Sequence, residues 1–390
     1  MKNNWQKIKL GDICTLIKGI TYKSDDYAST GDGLVFLTLK SIAKGGGFNF
    51  DGVKYYKGET HDDQFVAPND LIIANTDLTR AGDIIGAPLF VPQIDKENKY
   101  VYSMDITKIV TDESRLNRNY LYHYLLTKNV RNYMREISNG STVLHLKINL
   151  VNKLDIPLPL LEIQSKIVQI LSSIDAEIQY TDQIIQKTEV LKKGLMQELL
   201  TKGINHKKFK KTKIGEIPEG WNIERFEEFA MLQRGYDLPV QNRIRGEYEL
   251  VTSNGVTDTH NQFKVKGPGI VTGRSGTLGK VFYIEKDFWP LNTTLYIKNF
   301  HGNNKKFIYY KIQSFNISRF GTGTGVPTLN RNNVHKELIA IPGYIEQQEI
   351  AEIISIVDEK ISVNKIIKTK LVLLKMGLMQ DIFSQKVPIN

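Results

Sequence analysis

"GLMQ" is written at Gly194–Gln197 and again at Gly377–Gln380, inside two segments whose apolar residues have helical spacing. The offset between the copies, 183 residues (377 less 194), holds along both segments. In the first, the apolar seam runs Ile167, Leu171, Ile174, Ile178, Thr181, Ile184, Thr188, Leu191 and Leu195. In the second it runs Ile350, Ile354, Val357, Ile361, Asn364, Ile367, Leu371, Leu374 and Leu378. Steps of three and four residues are those of a helix seam pressed against a partner helix. Thr181 and Asn364 place a polar residue at the same point of each seam, where it can fix register.

The self-similarity continues upstream. Trp5 and Gly19 in "WQKIKLGDICTLIKG" answer Trp221 and Gly235 in "WNIERFEEFAMLQRG". Ile156-Pro157 precedes the first helix as Ile341-Pro342 precedes the second, and "GSTVLHL" from Gly140 answers "GVPTLNR" from Gly325. The unit is therefore a globular module followed by a long helix, written twice, with the first module longer by about 30 residues. Within the modules, "LVFLTL" (34–39), "DLIIAN", "PLFVPQ", "GIVTG" and "KVFYIE" are short, β-branched or aromatic and bounded by Gly, Pro or Asp, so they read as strands. "NRNYLYHYLLTKNVRNYMREI" has helical spacing at Leu121, Leu125, Tyr133 and Ile137 and stops at Asn139-Gly140; "KKFIYYKIQSFNISRF", ending at Gly321, is its counterpart.

A helix from about Ile167 to Leu199 is roughly 50 Å long. Parallel pairing of two such helices would make the connecting segment span that length, near the limit for some 15 residues, so antiparallel pairing is expected. Two similar heads would then sit at opposite ends of a stiff spacer, about an approximate twofold. If both heads touch B-DNA, that spacing corresponds to at most roughly 15 base pairs, and the target would be two short half-sites with an unread gap.

Composition bounds the partners. A chain of 390 residues can bury more than one core, and its formal charge of +10 suits a polyanion. The single cysteine, Cys14, excludes an internal disulfide or a cysteine zinc cage and points to a reducing compartment. The N-terminal stretch has no apolar signal core and no apolar run approaches a membrane span, so a cytoplasmic protein with no membrane partner is expected. Six lysines and no acid lie between Lys202 and Lys213, a basic linker by composition.

The order of modules and helices, the helix entries "LPLLEIQSKIVQIL" and "YIEQQEIAEII", "KKGLMQELLTKG" at Lys192 and "KIGEIPEGW" at Lys213 together resemble a specificity subunit of a type I restriction-modification system over essentially the whole chain. The resemblance implies an α+β protein with two α/β target recognition domains separated by an antiparallel two-helix coiled coil in a pseudo-twofold internal repeat. Target recognition domains would occupy 1–160 and 218–345, spacer helices 161–202 and 346–390, and the linker 203–217. It further implies double-stranded DNA as ligand, two modification subunits carrying the methyltransferase chemistry docked on the helices, and restriction or motor subunits joining them. No cofactor is expected on this chain; S-adenosylmethionine and ATP belong to the partners.

The residues agree with a subunit that recognises and does not catalyse. None of the 12 prolines is adjacent to another, against an amino-methyltransferase motif, and "FGTGTG" at Phe320 is out of phase with a cofactor loop. "GRSGTLGKV" (Gly273–Val281) has five residues between Gly273 and Gly279 where a phosphate-binding loop has four, and Val281 stands where a magnesium-binding hydroxyl is needed. "ENK" at Glu97 lacks the paired Pro-Asp of a nuclease, and the seven histidines have no metal-ligand spacing. A single-chain restriction or methyltransferase enzyme and a protein-binding adaptor are the readings of other classes. Methyl transfer by the purified chain would favour the first, and loss of DNA binding by the complex with a salt slope near zero the second.

The same glycine loop suits DNA contact. Gly273, Gly276 and Gly279 permit close backbone approach, Arg274 and Lys280 supply charge, and Ser275 and Thr277 supply hydroxyls. "NTDLTRAGDIIG" is its partner in the first module, offering Asn75, Thr79 and Arg80. Arg234 and Tyr236 are answered by Lys18, Tyr22 and Lys23. Asn254, Gln262 and Lys40 are candidates for base contact, and Gly323, Thr324 and Thr142 for backbone phosphate.

Overall fold

The computed structural model describes residues 5–43, 47–61, 64–79, 81–323, 327–387 and 389. Its helices, in chain order, are α1 (Arg118–Leu125), α2 (Lys128–Glu136), α3 (Ile148–Val151), α4 (Leu161–Lys202), α5 (Phe226–Phe229), α6 (Lys305–Ser314), α7 (Arg331–His335) and α8 (Tyr344–Phe383). The chain divides into two units, Met1–Tyr180 with Lys368–Asn390, and Thr181–Ile367. The divisions fall inside α4 and α8. Each unit thus combines one module with half of each long helix, where the sequence suggested modules and helices as separate segments.

The modules share one sheet plan. In the first, a four-stranded sheet is ordered Cys14–Lys18, Ile106–Thr111, Leu71–Ala74, Pro88–Phe90; in the second, Met231–Arg234, Thr294–Asn299, Gly269–Gly273, Val281–Ile284. A second sheet in each contains one parallel pair, Leu34–Leu37 with Tyr100–Tyr102 and Tyr248–Thr252 with Phe288–Pro290. The extra length of the first module goes partly into two edge strands, Tyr27–Ala28 and Phe65–Val66, which widen this sheet from three strands to five. The fold is α+β, as the sequence implied.

Both closing helices differ from expectation by a break. The first ends at Leu125 because Thr127 is extended, with its hydroxyl donating back to the Tyr124 carbonyl at 2.7 Å, and α2 starts afresh. The counterpart ends at Ser314, and Asn316, at φ 45°, turns the chain into a short 3₁₀ segment, Ile317–Phe320. The basic linker is also more ordered than its composition suggested: Phe209–Thr212 and Gly215–Pro218 form an antiparallel hairpin.

Within each unit the long helices run antiparallel. In the first, Ile167 and Leu171 of α4 share a core with Met379 and Ile382 of α8, and Lys375 reaches Asp175 at 2.5 Å. In the second, Ile350 and Ile354 of α8 share a core with Leu200 of α4, and Lys192 reaches Asp358 at 2.6 Å. These ion pairs are one interaction made twice with the helices exchanged, since Asp358 and Lys375 stand at the repeat positions of Asp175 and Lys192. Ile174, Ile178, Leu195, Val357, Leu371 and Leu378 are half-buried and Ile361 is buried, as the seams require.

The seams depart from the sequence reading at Leu191 and Leu374, which are 54% and 52% exposed, and at Ile367. After Thr181 the buried line of α4 steps by four to Ile185, then to Thr188 and Lys192. A straight helix at 3.6 residues per turn drifts off a strict heptad in this way. Lys192 and Lys375 occupy the places assigned to leucine because their alkyl stems pack while Asp358 and Asp175 neutralise their charge. Asn364, expected to fix register across the seam, donates its amide to the Lys360 carbonyl of its own helix.

A buried glutamine ties each module to its long helix. Gln164 accepts from the backbone N–H of Asn117 at 2.8 Å and donates to the carbonyls of Arg115 and Pro159, both at 2.9 Å. Gln347 accepts from the N–H of Asn304 at 2.9 Å and donates to the Pro342 carbonyl and to Asn303 Oδ1. Asn117 and Asn304 are the N-caps of α1 and α6, so each clamp joins the first turn of a long helix to the start of a closing helix. α4 ends at Gly203, whose φ of 68° is left-handed, and the buried Lys311 ammonium donates to the Leu200 carbonyl.

Replacing Gln164 or Gln347 by alanine leaves a buried N–H and carbonyls unpaired, and each change is expected to cost about 2–4 kcal/mol in urea denaturation. A loss within experimental error for both would show that water replaces the clamp. His123 is 2% exposed, and burial, reinforced by Lys375 and opposed by Asp175, pushes its imidazole down from 6.5 to about 4. The unfolded chain therefore takes up this proton first as pH falls, so stability is lost between pH 6.5 and about 4, by on the order of 3 kcal/mol. Thermal melts at pH 7 and 4.5 are expected to show a smaller acid loss for His123→Leu than for wild type.

Candidate nucleic-acid interface

The strand ends of the second module meet at a cleft of about 570 Å³. Its walls come from Gln233 and Arg234 at the end of one strand, Arg274 just past the strand Gly269–Gly273, Thr322 and Thr328 of a short antiparallel strand pair, and Arg331 at the start of α7. Backbone bonds fix this convergence. Arg274 N donates to the Thr293 carbonyl at 2.8 Å and the Arg274 carbonyl accepts from Leu329 N at 2.7 Å, while Ser275 bridges Thr328.

Side chains then orient the charges. Arg274 Nη1 donates to the Asn292 carbonyl at 3.2 Å, and Arg331 Nη1 donates to Gln233 Oε1 at 2.7 Å. Arg234 pairs with Asp237 at 3.0 Å, and Asn292 also donates to Asp237. Asn254 lies on an exposed turn lining a second cleft, also about 570 Å³, with Arg243, Thr257 and Asn292-Thr293. The segment Asn292-Thr293 thus supports Arg274 and borders the second cleft.

The glycines of the loop serve the hairpin itself. A Cβ on Gly273 would stand 1.9 Å from the Thr277 carbonyl oxygen, and Gly276 is left-handed at φ 82°. Thr277 is half-buried and Lys280 exposed, with the Lys280 carbonyl held by the Thr272 hydroxyl at 2.8 Å. Tyr236 is 37% exposed and its hydroxyl meets that of Tyr296 at 3.0 Å. Gly323, at φ 105°, follows the hairpin strand Gly321–Thr322 at the cleft. Gln262 is exposed and lines neither cleft; Thr324 lies outside the described residues.

The first module repeats the backbone frame. Gly19 N donates to the Ile106 carbonyl as Gly235 N does to that of Thr294, both at 3.1 Å, so Lys18 takes the place of Arg234. Leu146 N donates to the Asn75 carbonyl at 2.8 Å, as Leu329 N does to that of Arg274, so Asn75 takes the place of Arg274 and Leu146 that of Leu329, two residues along from the pairing that "GSTVLHL" and "GVPTLNR" suggested. The alignment of the two loops made on sequence is therefore a structural one. The side chains differ: Asn75 is 5% exposed and donates its amide to the Met104 carbonyl, which makes it part of the loop's interior rather than a group presented to a ligand.

Around it, the buried Asp77 accepts from the N–H groups of Thr79, Ile84 and Ile85. Burial is the largest single influence and pushes its carboxyl up, but the bonds from Thr79, Ile84 and Ile85 together outweigh it and hold the carboxyl below the usual range. Thr79 in turn accepts from Asp83 N at 3.0 Å, and Arg80 lies outside the described residues. Thr142 is exposed on the loop before Leu144–Leu146, and Lys18, Lys23 and Lys40 are exposed. Tyr22 packs edge-on to Phe36 at 5.0 Å and to Tyr27 at 5.5 Å, and its hydrogen bond with Tyr27, then burial, raises its phenol. Gln233 and Arg331 were not singled out from sequence. Arg331 ends the repeated stretch "GVPTLNR", and that position was the available signal.

Among the described residues no group of His, Cys, Asp and Glu is arranged to hold a metal ion, and no helix is long and apolar enough to cross a membrane.

Comparison with known proteins places this frame. Residues 2–190 and 218–373 match the family model described as type I restriction modification DNA specificity domain. The chain is 27% identical over 239 residues to the type I restriction enzyme MjaVIII specificity subunit of Methanocaldococcus jannaschii, an alignment covering 60% of this chain and 50% of that one. It thus spans half the length of that relative. The MjaIX specificity subunit of the same organism aligns at 23% identity over 397 residues, 93% of this chain and 88% of the relative. In fold it is similar to the type I restriction-modification S subunit from M. genitalium, with a TM-score of 0.64 at 14% identity, covering 100% and 98% of the two chains. With the family model matching both modules and most of both long helices, the chain belongs to the type I restriction-modification specificity subunits.

Proposed function

We propose that this chain is the non-catalytic DNA-reading subunit of a type I complex, in which each module reads one half-site of a bipartite double-stranded target. The observation that carries this is the twice-built backbone frame at the strand ends. The same backbone bonds converge at Arg234 and Arg274 in one module and at Lys18 and Asn75 in the other, yet the side chains differ, as two readers of different sequences require. The charge of +10 supplies the sequence-independent attraction to phosphate.

The long helices set the unread gap and carry two modification subunits. Support for docking comes from apolar side chains left open on them, among them Val190 at 73%, Ile356 at 61%, Leu373 at 62% and Met376 at 57% exposed. Leu191 and Leu374, outside the seams, join this set. Methyl transfer from S-adenosylmethionine and ATP-driven restriction belong to the partner subunits, in the cytoplasm with the host DNA. Methyl transfer by the purified chain alone would refute the division of labour.

Two tests follow from this arrangement. Inserting seven residues into both α4 and α8 lengthens each helix by about 10.5 Å, so methylome sequencing is expected to show a gap longer by about three base pairs with both half-sites intact. Altered half-sites would contradict it. Arg274→Ala is expected to weaken recognition of one half-site by about 1–3 kcal/mol in quantitative binding, leaving the other unchanged; equal loss at both would remove Arg274 from the reading surface.

A further inference from the structure

Arg331 is held more firmly than its place on a surface helix requires. Leu232 N donates to His335 Nε2 at 3.0 Å, and burial lowers the pKa of this imidazole, which keeps the acceptor nitrogen free of a proton. The bond pins α7 to the strand Met231–Arg234. Arg331, four residues before His335, lies on the same side of α7, and its guanidinium meets Gln233, the residue after Leu232, at 2.7 Å. Among the described residues, neither Arg331 nor Arg274 has a carboxylate partner; their acceptors are the Gln233 amide and the Asn292 carbonyl. Both therefore keep full charge and most of their N–H donors while being fixed in direction.

We propose, building on the DNA-reading assignment above, that Arg331 is a specificity-determining residue that reads a guanine of one half-site, with Gln233 as its positioning residue. The ligand chemistry is a pair of adjacent acceptors matched to a guanidinium fork, which guanine O6 and N7 present in the major groove and a phosphate also presents. Guanine is favoured because the fork is immobilised by a neutral acceptor in the wall of a cleft. A phosphate contact carries no sequence information and gives the two modules no reason to differ at this position, whereas they do differ there. The first module cannot make this contact: Ile17 and Ile148 stand in place of Gln233 and Arg331 on the same backbone frame. The guanine belongs to one half-site only.

The test uses the full complex with its modification subunits and a duplex library randomised across both half-sites, with wild type, Arg331→Lys, Arg331→Ala, Gln233→Ala and Gln233→Glu. Arg331→Lys keeps the charge and loses the fork. It is expected to lose preference at a single guanine by about 5–100-fold, with the other half-site and the salt dependence unchanged. Gln233→Ala is expected to weaken the same position partially, and Gln233→Glu to restore orientation there. Wild-type binding is expected to fall when that guanine is replaced by 7-deazaguanine, which removes N7. Retained preference in Arg331→Lys, or indifference to 7-deazaguanine at every guanine of both half-sites, overturns the proposal. So does a salt slope in Arg331→Ala lower by about one with base preference intact, which identifies a phosphate contact. Loss at both half-sites overturns it as a folding defect, reported by a lowered melting temperature. Absence of any sequence preference in wild type would instead sink the DNA-reading assignment.

Discussion

The pairing of α4 with α8 in opposite directions is the constraint on which each module depends. Ile167 and Leu171 are fully buried in a core that includes Met379 and Ile382, more than 200 residues later in the chain, and Ile350 and Ile354 are buried in a core that includes Leu200. Neither module closes its core with its own contiguous segment. The exchanged ion pairs, Lys375 with Asp175 and Lys192 with Asp358, set the register of this pairing where a leucine seam alone would tolerate slippage. Partly buried and directly paired, they discriminate against wrong registers by leaving a charge uncompensated there.

The buried glutamines carry that constraint outward. Gln164 and Gln347 leave the first turn of each long helix and satisfy the start of α1 and α6, so the direction of the helix and the orientation of the sheets are coupled through one amide each. A polar residue is used because the groups it meets are themselves orphans: N–H groups at a helix start and carbonyls preceding one. An apolar side chain would fill the volume and leave these unpaired. On this anchored frame the same backbone bonds draw the strand ends together in both modules, and the residues there differ between modules without disturbing the backbone that presents them.

Much of this organisation was legible in the sequence because repetition is robust to local error. The 183-residue offset identified the helices and their shared entry motifs, and the order of segments within the modules paired "NTDLTRAGDIIG" with "GRSGTLGKV", whose carbonyls at Asn75 and Arg274 accept equivalent bonds from Leu146 and Leu329. Less legible were the breaks at Thr127 and Asn316, because a side chain returning to its own backbone competes with helix on a scale that apolar spacing does not register. Lys192 and Lys375 escaped for a related reason. A lysine reads as solvent-facing until its carboxylate partner, far away in sequence, is known.

By itself, then, the sequence determined that two related α+β modules each precede a long amphipathic helix, and that the chain carries the charge of a polyanion's partner, because periodicity and composition are local properties summed along the chain. Only the tertiary structure decided which residues face the clefts. Asn75 and Arg274 occupy the same backbone position, yet one is buried with its amide on the Met104 carbonyl and the other, held by the Asn292 carbonyl, lines a cleft. Burial at such a site is set by neighbours brought from distant strands, and no pattern within the local stretch encodes it.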